Sequence, residues 1–217
     1  SNFGLKRVGD NECQHDLVTR IKAAPMRGKR RLVAVAGAPA SGKSTLAEVL
    51  AAADASFCMV PMDGFHLDNG VLRDRDLLHR KGAPETFDVA GLRHLVTRLA
   101  QEDEVIYPSF DRRLDRAIAG SGVVGPAIET VILEGNYLLL DRPGWRDLAA
   151  LWDLSIRLDV PAEVLETRLM QRWLDHGYSP QDAARKVHQN DMLNANTVIA
   201  DALPADITLT PDDVRQR

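Results

Sequence analysis

Eight consecutive residues, Gly37-Ala-Pro-Ala-Ser-Gly-Lys-Ser44, restrict what this chain can fold into more than any other stretch. They fit the spacing G-x-x-x-x-G-K-[ST], and Thr45 follows. Glycines at 37 and 42 let the backbone turn tightly and bring its N–H groups against anionic oxygens. Lys43 can reach the outer phosphates of a nucleotide, and the Ser44 hydroxyl is suited to Mg2+. Before the loop runs the apolar, strand-like Arg31–Ala36. After it runs Leu46–Ala53, rich in helix formers, and a helix starting here adds the positive end of its dipole. Strand, glycine loop and helix is the context a phosphate loop (P-loop) needs. Gly37, Ala38, Ser41, Gly42, Lys43, Ser44 and Thr45 are therefore the expected ATP-binding set.

The rest of the chain reads as alternating buried strands and helices. Strands are expected at Phe57–Met62, Val105–Tyr107, Thr130–Leu133, Leu154–Leu158 and Asp206–Leu209. Helices are expected over 10–24, 70–80, Val89–Gln101, from Pro161 to about His176 with Asp159 as a cap, and over 180–202 with a break. Leu92, Leu95, Val96 and Leu99 form a core-facing stripe. Residues 108–126 are polar and Arg-rich without clear periodicity, and Arg27–Arg31 reads as a solvated approach to the first strand. This order predicts an α/β, three-layer P-loop fold. It has a mostly parallel sheet with helices on both faces, one domain over 1–217, and a small helical lid within about 161–195. Ligands in such sheets sit at the carboxyl ends of the strands, where the loop, Asp63 and Glu134 all fall.

Composition sets limits. The 217 residues are 45% hydrophobic and 27% charged, enough for a sizeable core. A net charge of −4 argues against a nucleic-acid partner held by bulk charge. No run approaches the ~18 apolar residues of a membrane span. Cys13 and Cys58 stand far apart without metal spacing, which points to a reducing, cytoplasmic setting. The start at Ser1-Asn2 lacks a methionine, reads as processing, and is set aside. A homodimer is compatible with these features.

A P-loop alone does not separate kinases from other nucleotide-binding proteins. The chain has neither Asn-Lys-x-Asp nor Leu-Ser-Gly-Gly, but it does have Met62-Asp-Gly-Phe-His66. The expectation is that its strand lies beside the P-loop strand, so that Asp63 faces the γ-phosphate where an acceptor hydroxyl must be oriented. At this point the chain resembles the small-molecule kinases that include uridine kinase, phosphoribulokinase and bacterial ATP-dependent pantothenate kinase. The resemblance is strongest to members described as fructose-transport-system kinases. GAPASGKS, MDGFH, RKGAPETFD (Arg80–Asp88), YPSFDR (Tyr107–Arg112), VILEGNYLLL (Val131–Leu140) and RLMQR (Arg168–Arg172) carry it in order, over roughly residues 30–175.

The resemblance implies ATP and Mg2+ as cofactors and a small-molecule acceptor. It makes Asp63 the catalytic base or hydroxyl orienter, beside Lys43. Glu134 holds Mg2+ through water, with Ser44, or contacts the substrate. Arg168 and Arg172, spaced i,i+4, close over ATP, or else form a surface pair with Glu163 or Glu166. His66, Arg80, Lys81, Tyr107, Asp111 and Arg112 fall in the acceptor segments. Arg113 and Arg116 either join them or lie on an exposed charged hairpin. Asn190, Asp191 and Asn194 lie where a base or an acceptor could reach. A sugar is the leading acceptor. A uridine-like nucleoside and pantothenate are alternatives, and an ATP-binding regulatory module beside a sugar transporter is the rival of another class.

Overall fold

The computed structural model describes residues 6–8 and 11–211, so the polar tail after 211 lies outside the described residues. Largely apolar runs of five to seven residues make β2 (Arg31–Gly37), β3 (Phe57–Pro61), β6 (Thr130–Gly135), β7 (Leu154–Leu158) and β8 (Ile207–Pro211), and with the three-residue β1 (Lys6–Val8) they form one parallel sheet. Its order is β1-β8-β7-β2-β6-β3. β4 (Val105–Asp111) and β5 (Arg116–Val124) form a separate antiparallel hairpin. The helices are α1 (Asn11–Ala23), α2 (Lys43–Ala52), α3 (Asn69–Asp74), α4 (Val89–Gln101), α5 (Ala162–Asp175), α6 (Pro180–Lys186) and α7 (Met192–Ala200).

The period of two along β2 divides the core. Leu32, Ala34 and Ala36 face one side with Leu92, Leu99, Leu165, Leu169 and Val198 of α4, α5 and α7. Val33 and Val35 face the other with Leu17, Ile21, Leu46 and Leu50 of α1 and α2. Both faces of the sheet are thus covered, as parallel strands require, and three layers result.

Several expectations are corrected. The strand from Val105 does not stop at Pro108. It runs to Asp111, and its register against β5 shifts between Tyr107 and Ser109, an irregularity that accommodates a residue with no N–H to give. The helix over 70–80 ends at Asp74, because Asp76 takes a left-handed φ of 53°, and only Leu78–Arg80 coils again, as a 3-10 turn. Asp159 does not cap α5. Its amide donates to the Leu209 carbonyl at 2.8 Å, and Pro161 holds the N-cap position without a side-chain bond. The break within 180–202 is a π-turn, Val187–Asp191.

The basic run is not solvated throughout. Arg30 is 2% exposed, and its guanidinium donates to five carbonyls, those of Ile128, Leu99, Glu102, Asp103 and Gly125. Two of these belong to the C-terminal end of α4, whose dipole favours a cation. Arg27 and Arg31 likewise bind carbonyls and polar side chains, including Asp153 and Thr130. Arg30→Ala leaves these carbonyls without their donor and is expected to lower stability by about 3 kcal/mol. A urea midpoint equal to wild type would refute that role.

Candidate active site

The P-loop leaves β2 at Gly37 and enters α2 at Lys43. Ala40 takes φ 65° and Gly42 φ 92°, left-handed values that turn successive amides to one side. No side chain caps α2, so its first amides are open to an anion. The Ser41 hydroxyl is fully buried and has no hydrogen-bond partner among the described residues. Among the described residues, Lys43 Nζ reaches only the Ala38 carbonyl, at 3.5 Å. Burial pushes its ammonium below the ordinary lysine value, while the carboxylates of Glu134 and Asp63 pull it back up. The Ser44 hydroxyl donates to Glu134 Oε1 at 2.5 Å. Burial raises the Glu134 carboxyl above the usual range, opposed first by Lys43. An open amide cradle, an under-coordinated ammonium and a paired hydroxyl and carboxylate fit a polyphosphate with its Mg2+.

The strand carrying Asp63 does not lie beside β2. β6 lies between them, with Glu134 in line with both Val35 and Pro61. The strand next to the P-loop therefore brings Glu134, and Asp63 arrives from one strand further out, on the 3-10 turn Met62–Phe65. That turn is wedged against the hairpin: a Cβ on Gly64 would stand 2.1 Å from the Pro108 carbonyl oxygen, so only glycine permits the approach. The Asp63 carboxylate is a third exposed and meets Arg112 at 3.4 Å, while Arg112 itself is mostly in solvent.

His66 Nδ1 lies 2.7 Å from the Asp63 carbonyl oxygen. A carbonyl only accepts, so Nδ1 carries the proton. Burial lowers the ring's pKa, so near pH 7 it is neutral and Nε2 is left as an acceptor. The ring packs between Phe87 and Phe110, with centroids at 4.1 and 4.7 Å. These two aromatic walls are absent from the sequence-based candidates, although Phe87 and Phe110 both lie inside the matched segments.

The remaining candidates are placed as follows. Arg168 donates to the carbonyl of Ala40 at 2.9 Å, which joins α5 directly to the apex of the P-loop. Glu166 pairs with His188 instead of either arginine. Arg172 is exposed one turn further along α5, and it contributes to the electrostatics of Lys43. Tyr107 is half-buried under the hairpin, and Asp111 accepts from the Leu114 amide within its turn. Arg80 and Lys81 are engaged by protein groups. Arg80 binds Asn190 and Asn194, and Lys81 binds Asn69 and Asp115. Asp191 accepts from the Trp173 indole.

No family model matches the chain. Individual proteins do. It is 35% identical over 196 residues to a "putative uridine kinase" of Schizosaccharomyces pombe, covering 83% of each chain. It is 34% identical over 150 residues to the pantothenate kinase of Mycolicibacterium vanbaalenii, but there it spans only 48% of that protein. A crystal structure of a "putative fructose transport system kinase" from Silicibacter superposes with a TM-score of 0.87 at 52% identity, covering 90% of this chain and 98% of that one. The chain belongs to the P-loop small-molecule kinases of the uridine kinase, phosphoribulokinase and pantothenate kinase group. As a member of that group it is a phosphotransferase acting on an alcohol group. No described helix is long and apolar enough to cross a membrane.

The raised Glu134 carboxyl has a measurable consequence for the nucleotide-free kinase. An acid whose folded pKa exceeds its unfolded value gives stability that is present below the unfolded pKa and is lost as pH rises through the folded one. Glu134→Gln removes that loss. Relative to wild type, the variant's urea midpoint is expected to be higher at pH 7 than at pH 4, and an equal difference at both pH values would count against the burial cost.

Proposed function

We propose that this kinase transfers the γ-phosphate of ATP to a hydroxyl of a small metabolite, a sugar foremost. One observation carries the reading: the Asp63 carboxylate, a third exposed, stands one strand beyond Glu134 from the P-loop, three residues before His66, whose ring packs between Phe87 and Phe110. A pure nucleotide switch needs no carboxylate there. The sugar preference is supported by the 52% identity to a protein described as a fructose transport system kinase.

In this reading the P-loop amides and Lys43 hold the β- and γ-phosphates. Ser44 and Glu134 would hold Mg2+, Glu134 directly or through water, and the ion would neutralise charge on the transferring phosphoryl group. Asp63 accepts a hydrogen bond from the acceptor hydroxyl and aims its oxygen at phosphorus. As the new O–P bond forms and the bond to the β-phosphate oxygen breaks, the hydroxyl proton passes to Asp63. Arg168 and Arg172 place guanidinium donors over the charge that develops. The helices within about 161–195 act as a lid on a single domain.

Asp63→Asn is expected to lower turnover by about 10²–10⁴ with little change in ATP binding. Unchanged turnover would remove Asp63 from the mechanism. Arg172→Ala should reduce turnover more than ATP affinity, and equal turnover would leave Arg172 a surface residue. The class of acceptor is tested by ADP release with a panel of sugars, nucleosides and pantothenate. Stimulation by a sugar supports the leading reading, stimulation by uridine or pantothenate replaces it, and ATP bound with no stimulation favours a regulatory module.

A further inference from the structure

The tripeptide Arg80-Lys81-Gly82, called the acceptor loop after its place in the proposed function, ties together the π-turn and α7, α3 and the hairpin turn, and the segment after β6. The Arg80 guanidinium forks to Asn190 Oδ1 at 2.6 Å and Asn194 Oδ1 at 3.0 Å. Asn190 returns a bond from Nδ2 to the Lys81 carbonyl at 2.9 Å, and Asn194 Nδ2 donates to Asn190 Oδ1 at 3.2 Å. Lys81 Nζ holds Asn69 and Asp115, which fixes the tip of the β4–β5 hairpin. The Gly82 carbonyl accepts from the Tyr137 hydroxyl at 2.5 Å, just past the end of β6. An arginine whose fork is filled by two protein amide oxygens is poorly placed to read an acceptor, because each bond to a ligand would first break one to the protein.

The other side of the same turn reaches the arginine helix. Asn190 and Asp191 are neighbours in the π-turn Val187–Asp191. Asn190 points to Arg80, whereas Asp191 takes the indole N–H of Trp173 at 2.7 Å, and Trp173 follows Arg172 on α5. Asn194 is 3% exposed, so the cluster is shielded from water on that side. A π-turn inserts one residue into a helix and re-aims the side chains around it, which is why such turns recur at functional sites. Here it sends one side chain to the acceptor loop and the next to the helix that carries Arg168 and Arg172. In a closed network of short polar bonds, moving one member leaves another unpaired, so the two sides shift together.

We propose that Arg80, Asn190 and Asn194 are positioning residues that couple the arginine helix to the acceptor loop, and that they are not contacts of the acceptor. The proposal rests on the reading of α5 as part of a lid that responds to nucleotide. It needs no known acceptor for its test. In 1H–15N spectra of the full chain, Mg2+ with the β,γ-imido analogue of ATP is expected to shift both the Trp173 indole resonance and the Gly82 amide. In Arg80→Lys, which keeps the charge and loses the fork, the Trp173 shift should persist while the Gly82 shift falls to less than half. Asn190→Ala breaks the joint from its other side and should give the same result. It stands in if Arg80→Lys loses the dispersed indole resonances of the buried Trp145 and Trp152. A Gly82 shift undiminished in the folded variants, or absent in wild type while Trp173 moves, would overturn the coupling alone. A Trp173 resonance unmoved by bound nucleotide would overturn the lid reading and the coupling with it.

Discussion

A half-buried ammonium at the carboxyl edge of a parallel sheet sets the terms for everything around it. Lys43 is pushed toward neutrality by burial and held charged by two carboxylates, Glu134 and Asp63, delivered by different strands. Glu134 is in turn kept ionisable by Lys43 and by the Ser44 hydroxyl. Neither residue tolerates its burial alone, since an isolated buried charge costs far more than a paired one. The strand order places both: β6 between β2 and β3 puts Glu134 next to the loop and leaves Asp63 at the outer rim, beside the hairpin.

The same logic appears at the opposite end of the sheet, with carbonyls in place of carboxylates. Arg30 enters the interior and donates to five backbone oxygens, some from the end of α4 and others from the segments flanking the β4–β5 hairpin. It fastens the end of α4 to the base of the hairpin and to the start of β2. One cation thus organises the chemistry and another organises the frame that supports it.

What was legible in the sequence follows from how local each signal is. β2, β7 and α4 could be placed to within a residue because their periodicity and flanking residues are local. The P-loop could be read because its residue types answer one backbone geometry. The β4–β5 hairpin was legible only in part: a strand at Val105–Tyr107 and an exposed charged hairpin were expected, but Pro108 and a run of arginines and glycines mimic a loop, and the ladder is made by partners as far apart as Val105 and Val124. Arg30 looked like part of a solvated run because its partners come from positions 99–128. The protein partners of Arg80 and Lys81 were hidden for the same reason: the groups that bind them lie on α3, on the hairpin turn and beyond α6. His66 was visible as a candidate, whereas the rings on either side of it are brought together only by the bridge of His66 to Phe87 and by the hairpin.

The hairpin's separation from the main sheet bears on how such kinases diversify. The phosphate-holding half is built from strands whose side chains are locked on both faces, so substitutions there disturb the core. The hairpin shares no ladder with that sheet. It meets the rest of the protein through Val105 and Val124 in the core, the glycine-thin contact at Gly64, the Arg112–Asp63 pair and the Lys81 bonds to its turn. Substitutions at its exposed positions, Ile106 and Val123 among them, can therefore vary the hairpin surface without disturbing that core. One frame can in this way support relatives whose names specify acceptors as different as uridine and pantothenate.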